Sequence, residues 1–168
     1  TSKEIRDKAM LELLYATGIR VSELIGLELS DLNMQVGYIT CRDGQKERMV
    51  PFVKPAKQAL SVYLEKGRSQ LLKGKESQWL FTNCSGKAMS RQGFWKIIKY
   101  YGEKAGIQAD ITPHTLRHSF AAHLIRGGAD IHAVQAMLGH SDSTTTHMYA
   151  AYSGNTVGET YRAALPRK

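Results

Sequence analysis

The stretch GYITCRDGQKERMVPF, residues 37–52, holds two short runs, GYITC and ERMVPF, rich in β-formers and separated by RDGQK. The Asp43–Gly44 pair in the spacer is a turn signal, so the stretch reads as a β-hairpin. Helical patterns surround it. Upstream, Thr1 and Glu4 form a capping box, Ile5, Ala9, Leu13 and Ala16 follow at helical spacing, and Gly18 is the stop. A second helix begins near Arg20, turns Val21, Leu24, Ile25 and Leu27 inward, and sets Arg20 and Glu23 one turn apart. Downstream, Lys54–Pro55 opens a helix to about Leu72 with Ala59, Leu60, Tyr63 and Leu64 as its buried stripe. SQWLFTN (77–83) reads as another short strand. Ser90 begins a helix through Tyr101, on which Phe94, Ile97, Ile98 and Tyr101 are core rather than a platform for stacked bases. Thr112–Pro113 starts a helix closed by Gly127–Gly128, and a further one runs from Asp130 to Leu138–Gly139. Short helices from about 144 to 152 and 156 to 164 complete a mainly α-helical α+β domain with a small antiparallel β-element.

The chain has 168 residues, 42% of them hydrophobic, enough for one domain with a real core. Disorder and collagen-like repetition are excluded by this composition. The apolar runs fall far short of a membrane span and the N-terminus has no signal-peptide shape, so a soluble cytoplasmic protein with no membrane partner is expected. Cys41 and Cys84 stand outside any zinc or Cys-x-x-Cys spacing, which agrees with a reducing compartment. Lys plus Arg number 23 against 15 Asp plus Glu, a formal charge of +8. Residues 1–84 carry 13 basic and 10 acidic groups, net +3, and residues 85–168 carry 10 and 5, net +5. Such a surplus suits a polyanion, because neutralising phosphates releases condensed counterions, although it is also common on proteins that bind nothing charged.

All six histidines, His114, His118, His123, His132, His140 and His147, lie between positions 114 and 147, which points to a metal or acid–base site. His114 and Arg117 are three residues apart at the start of a helix, so both side chains leave the same face beside free amides and a positive dipole. His140 follows the Leu138–Gly139 stop, and Tyr149 comes nine residues later. Arg20 sits in a turn between two helices. Each of these residues taken alone is ordinary.

Together they carry a resemblance. The stretches ATGIRVSELIGLELSDLN (16–33), TPHTLRHSFAAHLIRGGADI (112–131) and VQAMLGHSDSTTTHMY (134–149) resemble the tyrosine recombinase, or phage integrase, family, most closely its bacterial Xer-type members. H-x-x-R, L-G-H and the His-to-Tyr interval occur in the family's order across nearly the whole chain. The resemblance implies the catalytic-domain fold of DNA breaking–rejoining enzymes over 1–168, with the N-terminal core-binding domain absent from this chain. Motif by motif it implies Arg20 as the first catalytic arginine, His114 and Arg117 as the H-x-x-R pair, His140 as the second histidine and Tyr149 as the nucleophile. Glu23, one turn from Arg20, reads either as a support that orients Arg20 or a histidine or as one half of a surface ion pair. It further implies a covalent 3′-phosphotyrosyl intermediate, no cofactor, no metal, and a double-stranded DNA partner. Other recombinase subunits are expected in a tetramer that exchanges C-terminal tails, on the nucleoid. The chemistry fits: two guanidiniums grip the non-bridging oxygens of a pentacoordinate phosphorus, where other phosphoryl-transfer enzymes use a metal.

The leaving 5′-oxygen needs a proton, which the family takes from a hairpin lysine. Xer-type relatives usually read G-K-G-x-K-E-R there with the first lysine catalytic, whereas this chain reads Arg42-Asp43-Gly44-Gln45-Lys46-Glu47-Arg48. Lys46 is assigned the role as the nearest lysine, although it aligns more naturally with the family's second. Arg42 is a poor acid, since a guanidinium hardly releases its proton. Tyr152 is a rival to Tyr149, and spacing from His140 favours Tyr149. Arg42, Lys87, Ser90, Arg91 and Gln92 are candidate DNA contacts. Two other classes compete. A zinc hydrolase would use His114, His118 and His140, but no glutamate follows His114 as H-E-x-x-H requires. A non-catalytic helical DNA-binding module would use Ser90, Arg91 and Gln92 and leaves the tyrosine, histidines and arginines unexplained.

Overall fold

A computed structural model of the chain describes residues 1–106. The helices expected beyond residue 107, with His114, Arg117, His118, His140, Tyr149 and Tyr152, lie outside the described residues. Within them the elements run α1 (Ser2–Thr17), α2 (Val21–Ile25), a 3-10 turn (Leu29–Asp31), β1 (Leu32–Asn33), β2 (Tyr38–Asp43) and β3 (Lys46–Pro51). Next come α3 (Lys54–Val62), a π-helical turn (Tyr63–Gly67), α4 (Arg68–Leu72) and α5 (Arg91–Lys104). The domain is thus helix-rich with a small antiparallel sheet of order β1-β2-β3.

Helix α1 starts on one half of the expected Thr1–Glu4 capping box and stops at the expected glycine. Thr1 Oγ1 accepts from the Glu4 amide at 3.2 Å, and Gly18 at φ 66° ends the helix with its N–H on the Leu14 carbonyl at 2.8 Å. Its burial exceeds the expected stripe, however. Ala9, Met10, Leu13 and Leu14 are all but inaccessible, and Arg6, Asp7 and Glu12 are buried as well. α3, the π turn and α4 pack against α1, so it is a central helix and needs apolar or paired groups around most of its circumference. Arg6 donates to Asp7 Oδ1 at 2.8 Å and to the Thr82 carbonyl at 3.2 Å, while the Tyr101 hydroxyl donates to Asp7 Oδ2 at 3.3 Å. This buried cluster ties α1 to the 80s loop and to α5. Burial, the larger effect, pushes the Asp7 carboxyl up despite the neighbouring guanidinium.

The helix expected from Lys54 to Leu72 forms, with Ala59, Leu60 and Tyr63 buried, but it widens into a π turn where Gly67 meets the Ile5 side chain. Tyr63 stacks on Phe81 at 5.3 Å and donates to the Leu80 carbonyl at 2.7 Å. SQWLFTN is not a strand. It makes only isolated bridges, Glu28 to Trp79 and Thr82 to Ala88, because its neighbour at 27–29 turns into the 3-10 helix after two backbone bonds, Leu80 N to Leu27 O and Leu29 N to Gln78 O. Ser90 Oγ caps α5 by accepting from the Gly93 amide at 2.9 Å, and Phe94, Ile98 and Tyr101 lie in the core as expected, with Ile97 packed against it.

The hairpin turn differs by one residue from its sequence signal. Asp43 pairs with Lys46, so the two-residue loop is Gly44–Gln45 and Asp43 closes the ladder. Gly44 has φ 63° and Gln45 is not among the residues at positive φ. A turn with glycine first and an ordinary second residue is of the II′ kind, whereas Asp43–Gly44 as the central pair would need positive φ at both. β2 is therefore one residue longer than its β-rich run, and β3 begins one residue earlier than its run, at Lys46.

Candidate functional site

Three residues, Gly18 to Arg20, join α1 to α2. Gly18 reverses the chain, Ile19 plugs the core at 0% exposure, and Arg20, half-buried, takes an extended conformation as the residue before α2. A guanidinium has no acceptor with which to cap a helix, so the capping falls to Glu23, whose Oε1 accepts from the Arg20 amide at 2.9 Å. The backbone under Arg20 is held by this bond, and α2 packs on both α5 and β2.

The same carboxylate reaches the hairpin. Arg48 of β3 donates through Nη2 to Glu23 Oε1 at 2.9 Å and through Nη1 to Glu23 Oε2 at 2.5 Å, a bidentate pair. The Glu23 side chain is only 5% exposed and that of Arg48 19%, so this is no solvated surface bridge. Cross-strand pairs explain the reach: Ile39 faces Val50 and Cys41 faces Arg48, and Ile39, Val50 and Cys41 are buried. Arg48 thus occupies the inward face of the sheet. Lys46, two residues earlier, shares that face at the exposed tip. Burial, with Glu23 nearby, pushes the Cys41 thiol up to about 12 and keeps it protonated.

Arg42 projects from the opposite face. Its guanidinium meets Asp31 at 2.7 Å, Glu28 at 3.3 Å and Glu47 at 3.5 Å, and these carboxylates, Asp31 foremost, hold its pKa up. Arg42 is itself a candidate DNA contact; the others, Lys87, Ser90, Arg91 and Gln92, are exposed, and the last three stand at the start of α5 where free amides add to the positive field. The Lys87 amide donates to Asn83 Oδ1 at 3.0 Å, which shapes the loop leading there.

Of the residues expected to act together, Arg20, Glu23 and Lys46 are described. One carboxylate joins the turn of Arg20 to the strand of Lys46. In sequence Glu23 stands one turn from Arg20, and nothing near it points to Arg48, 25 residues on. The signal was present: in the alternation of β3, Arg48 stands at an inward position beside Val50, and an inward arginine requires a carboxylate. Among the described residues no group of three His, Cys, Asp or Glu side chains is arranged to hold a metal ion, and no helix is long and apolar enough to cross a membrane.

The Phage integrase family matches residues 1–155. The tyrosine recombinase XerD of Staphylococcus epidermidis is 52% identical over 163 residues, 96% of this chain and 55% of that protein. XerD of Halalkalibacterium halodurans is 48% identical over 164 residues, 97% of this chain and 55% of that protein. The crystal structure of XerA recombinase superimposes with a TM-score of 0.79 at 33% identity, covering 99% of this chain and 61% of that one. XerH site-specific recombinase bound to its difH substrate gives 0.75 at 25% identity, covering 90% and 44%. The chain spans about half the length of the curated relatives it matches. A family match over most of the chain, relatives near 50% identity and a shared helix-rich fold with a small sheet lead to one conclusion: this chain belongs to the phage integrase family of tyrosine recombinases.

Proposed function

We propose that the chain is the catalytic domain of a site-specific recombinase that cuts and rejoins DNA through a 3′-phosphotyrosyl intermediate. The observation that carries the reading is the family match over 1–155, an interval that contains every candidate from Arg20 to Tyr149. In this mechanism Arg20 and Arg117 grip the non-bridging oxygens and stabilise the charge that grows as phosphorus becomes pentacoordinate. Tyr149 Oη bonds to phosphorus and passes its proton to a histidine, His114 or His140. A phenol of pKa about 10 needs such a base or a positive field near neutral pH. The bond from phosphorus to the 5′-oxygen breaks, and that oxygen takes a proton from Lys46 and departs as a hydroxyl. One phosphoester replaces another, so attack by a 5′-hydroxyl reverses the step without ATP, and metal and cofactor have no part in it.

The substrate is double-stranded DNA, with Lys87, Ser90, Arg91 and Gln92 on the phosphates, a reading supported by the likeness to XerH site-specific recombinase bound to its difH substrate. Similarity to XerD recombinases favours resolution of chromosome dimers over integration or excision of a mobile element. The active form is a tetramer on DNA with exchanged C-terminal tails, acting at the nucleoid in the cytoplasm. The test is a nicked suicide substrate carrying the target site, found by selecting bound and cleaved DNA from a genomic pool. A covalent protein–DNA adduct that survives chelator and disappears in Tyr149→Phe is the expected result. If the adduct persists in Tyr149→Phe, the nucleophile is another residue.

A further inference from the structure

We infer that Arg48 is a positioning residue, which by its bidentate grip on Glu23 sets the hairpin bearing Lys46 against the turn bearing Arg20. The inference rests on the recombinase reading above and assigns a role within the same site. Its basis is geometric. Glu23 Oε1 is shared between the Arg20 amide and Arg48 Nη2, each at 2.9 Å, so one buried carboxylate fixes a helix start and a strand together. Apolar contacts, Ile39 and Val50 with the core, hold the base of the hairpin, but residues 44–47 at its tip are exposed. The Glu23–Arg48 pair is the polar tie nearest the tip among those described that reach helix α2. Lys46 lies two residues further along the same face. A strand can pivot about its apolar pairs, and a forked ion pair resists rotation in a way that a single contact does not.

Arg48 therefore controls proton delivery to the leaving oxygen, and not affinity for DNA. A displacement of about 1 Å at a reacting group costs on the order of 10²-fold in rate. Arg48→Gln in the whole protein should lower the cleavage rate on a suicide substrate by about that factor, with DNA affinity changed by less than about threefold. The discriminating readout is a substrate with sulfur in the 5′-bridging position, whose leaving group needs little acid help. Arg48→Gln should recover most of its rate on that substrate, as should Lys46→Ala, whereas loss of folded enzyme lowers both rates by the same factor. Because Arg48→Gln takes the arginine away from the buried Glu23 carboxylate, the double variant Glu23→Gln/Arg48→Met is measured beside it. It removes the charge, keeps an acceptor for the Arg20 amide and cuts the tie to the hairpin, so its melting temperature should return toward wild type while the sulfur-rescued defect remains. If Lys46→Ala is rescued by sulfur and the two Arg48 variants are not, the positioning role is wrong and the lysine assignment stands. If Lys46→Ala itself is not rescued, the lysine assignment fails and takes the positioning role with it. If wild type forms no adduct, the recombinase reading fails.

Discussion

Removing the carboxylate of Glu23 tests how much the junction between α2 and the hairpin depends on one side chain. In Glu23→Ala the Arg20 amide loses its acceptor at 2.9 Å and the Arg48 guanidinium loses both of its bonds to Glu23. Breaking a buried ion pair by deleting one partner costs about 3–5 kcal/mol. Arg48 retains 19% side-chain exposure, so water can reach part of its guanidinium in the variant and reduce that cost. Loss of the bond to the helix start adds up to about 1 kcal/mol. The expected destabilisation is roughly 2–4 kcal/mol. For a chain of this length each kcal/mol moves the melting temperature by about 2–4 °C, so Glu23→Ala should melt about 5–15 °C lower. Glu23→Gln keeps one acceptor oxygen, which the Arg20 amide and Arg48 Nη2 can share as they share Glu23 Oε1, but it turns an NH2 group toward Arg48 Nη1, so it should lose less than Glu23→Ala. Urea unfolding followed by circular dichroism gives both numbers, and the series is repeated in 1 M NaCl, where exposed charges are screened within about 3 Å. A buried tie keeps most of its effect there. A loss under about 0.5 kcal/mol in Glu23→Ala, or one abolished by salt, is what a solvated surface pair gives and would refute the reasoning.

The buried Arg6–Asp7 pair makes a second case. Arg6 is only 3% exposed, so Asp7→Ala, which leaves its guanidinium with the Thr82 carbonyl as described acceptor, should cost about 3–5 kcal/mol in urea unfolding. The folded Asp7 pKa lies above the ordinary 3.8, so the stability this carboxyl contributes is full below that pH and is lost as pH rises through the folded value. Wild type should accordingly lose ground to the non-titrating Asp7→Asn as pH rises across that window, and a gain would contradict the assignment. For DNA affinity, Arg91→Ala or Lys87→Ala should lower the slope of log K against log salt by about 0.9 each, measured by anisotropy. Arg42→Ala should change it much less, because the Arg42 guanidinium already faces Asp31, Glu28 and Glu47.

Much of the local structure was legible because its causes are local. Thr1, Gly18, Ser90 and the Lys54–Pro55 start act through their own backbone neighbours, and each does in the fold what its sequence indicates. The fold departs from the sequence pattern where a partner distant in sequence decides. SQWLFTN has strand-like composition, yet strand length depends on how far the segment at 27–29 stays extended. The Asp43–Gly44 signal indicates a hairpin but not its register, which Ile39, Cys41 and Val50 set by entering the core together. Arg42 and Arg48 are the same residue type six positions apart, and even spacing alone would put them on like faces of one strand. The intervening two-residue turn and the pairing place them on opposite faces, Arg42 among outward carboxylates and Arg48 on Glu23.

By itself the sequence determined a basic, mainly helical domain with one hairpin, the family to which it belongs, and the order of its candidate arginines, lysine, histidines and tyrosine, since periodicity, caps and motif spacing are properties of the chain as written. Only the tertiary structure decided that Glu23 serves the turn of Arg20 and the hairpin of Lys46 at once. Glu23 and Arg48 stand 25 positions apart, and nothing but the packing of α2 against the sheet brings them together in a place where a buried carboxylate and an inward arginine each require the other.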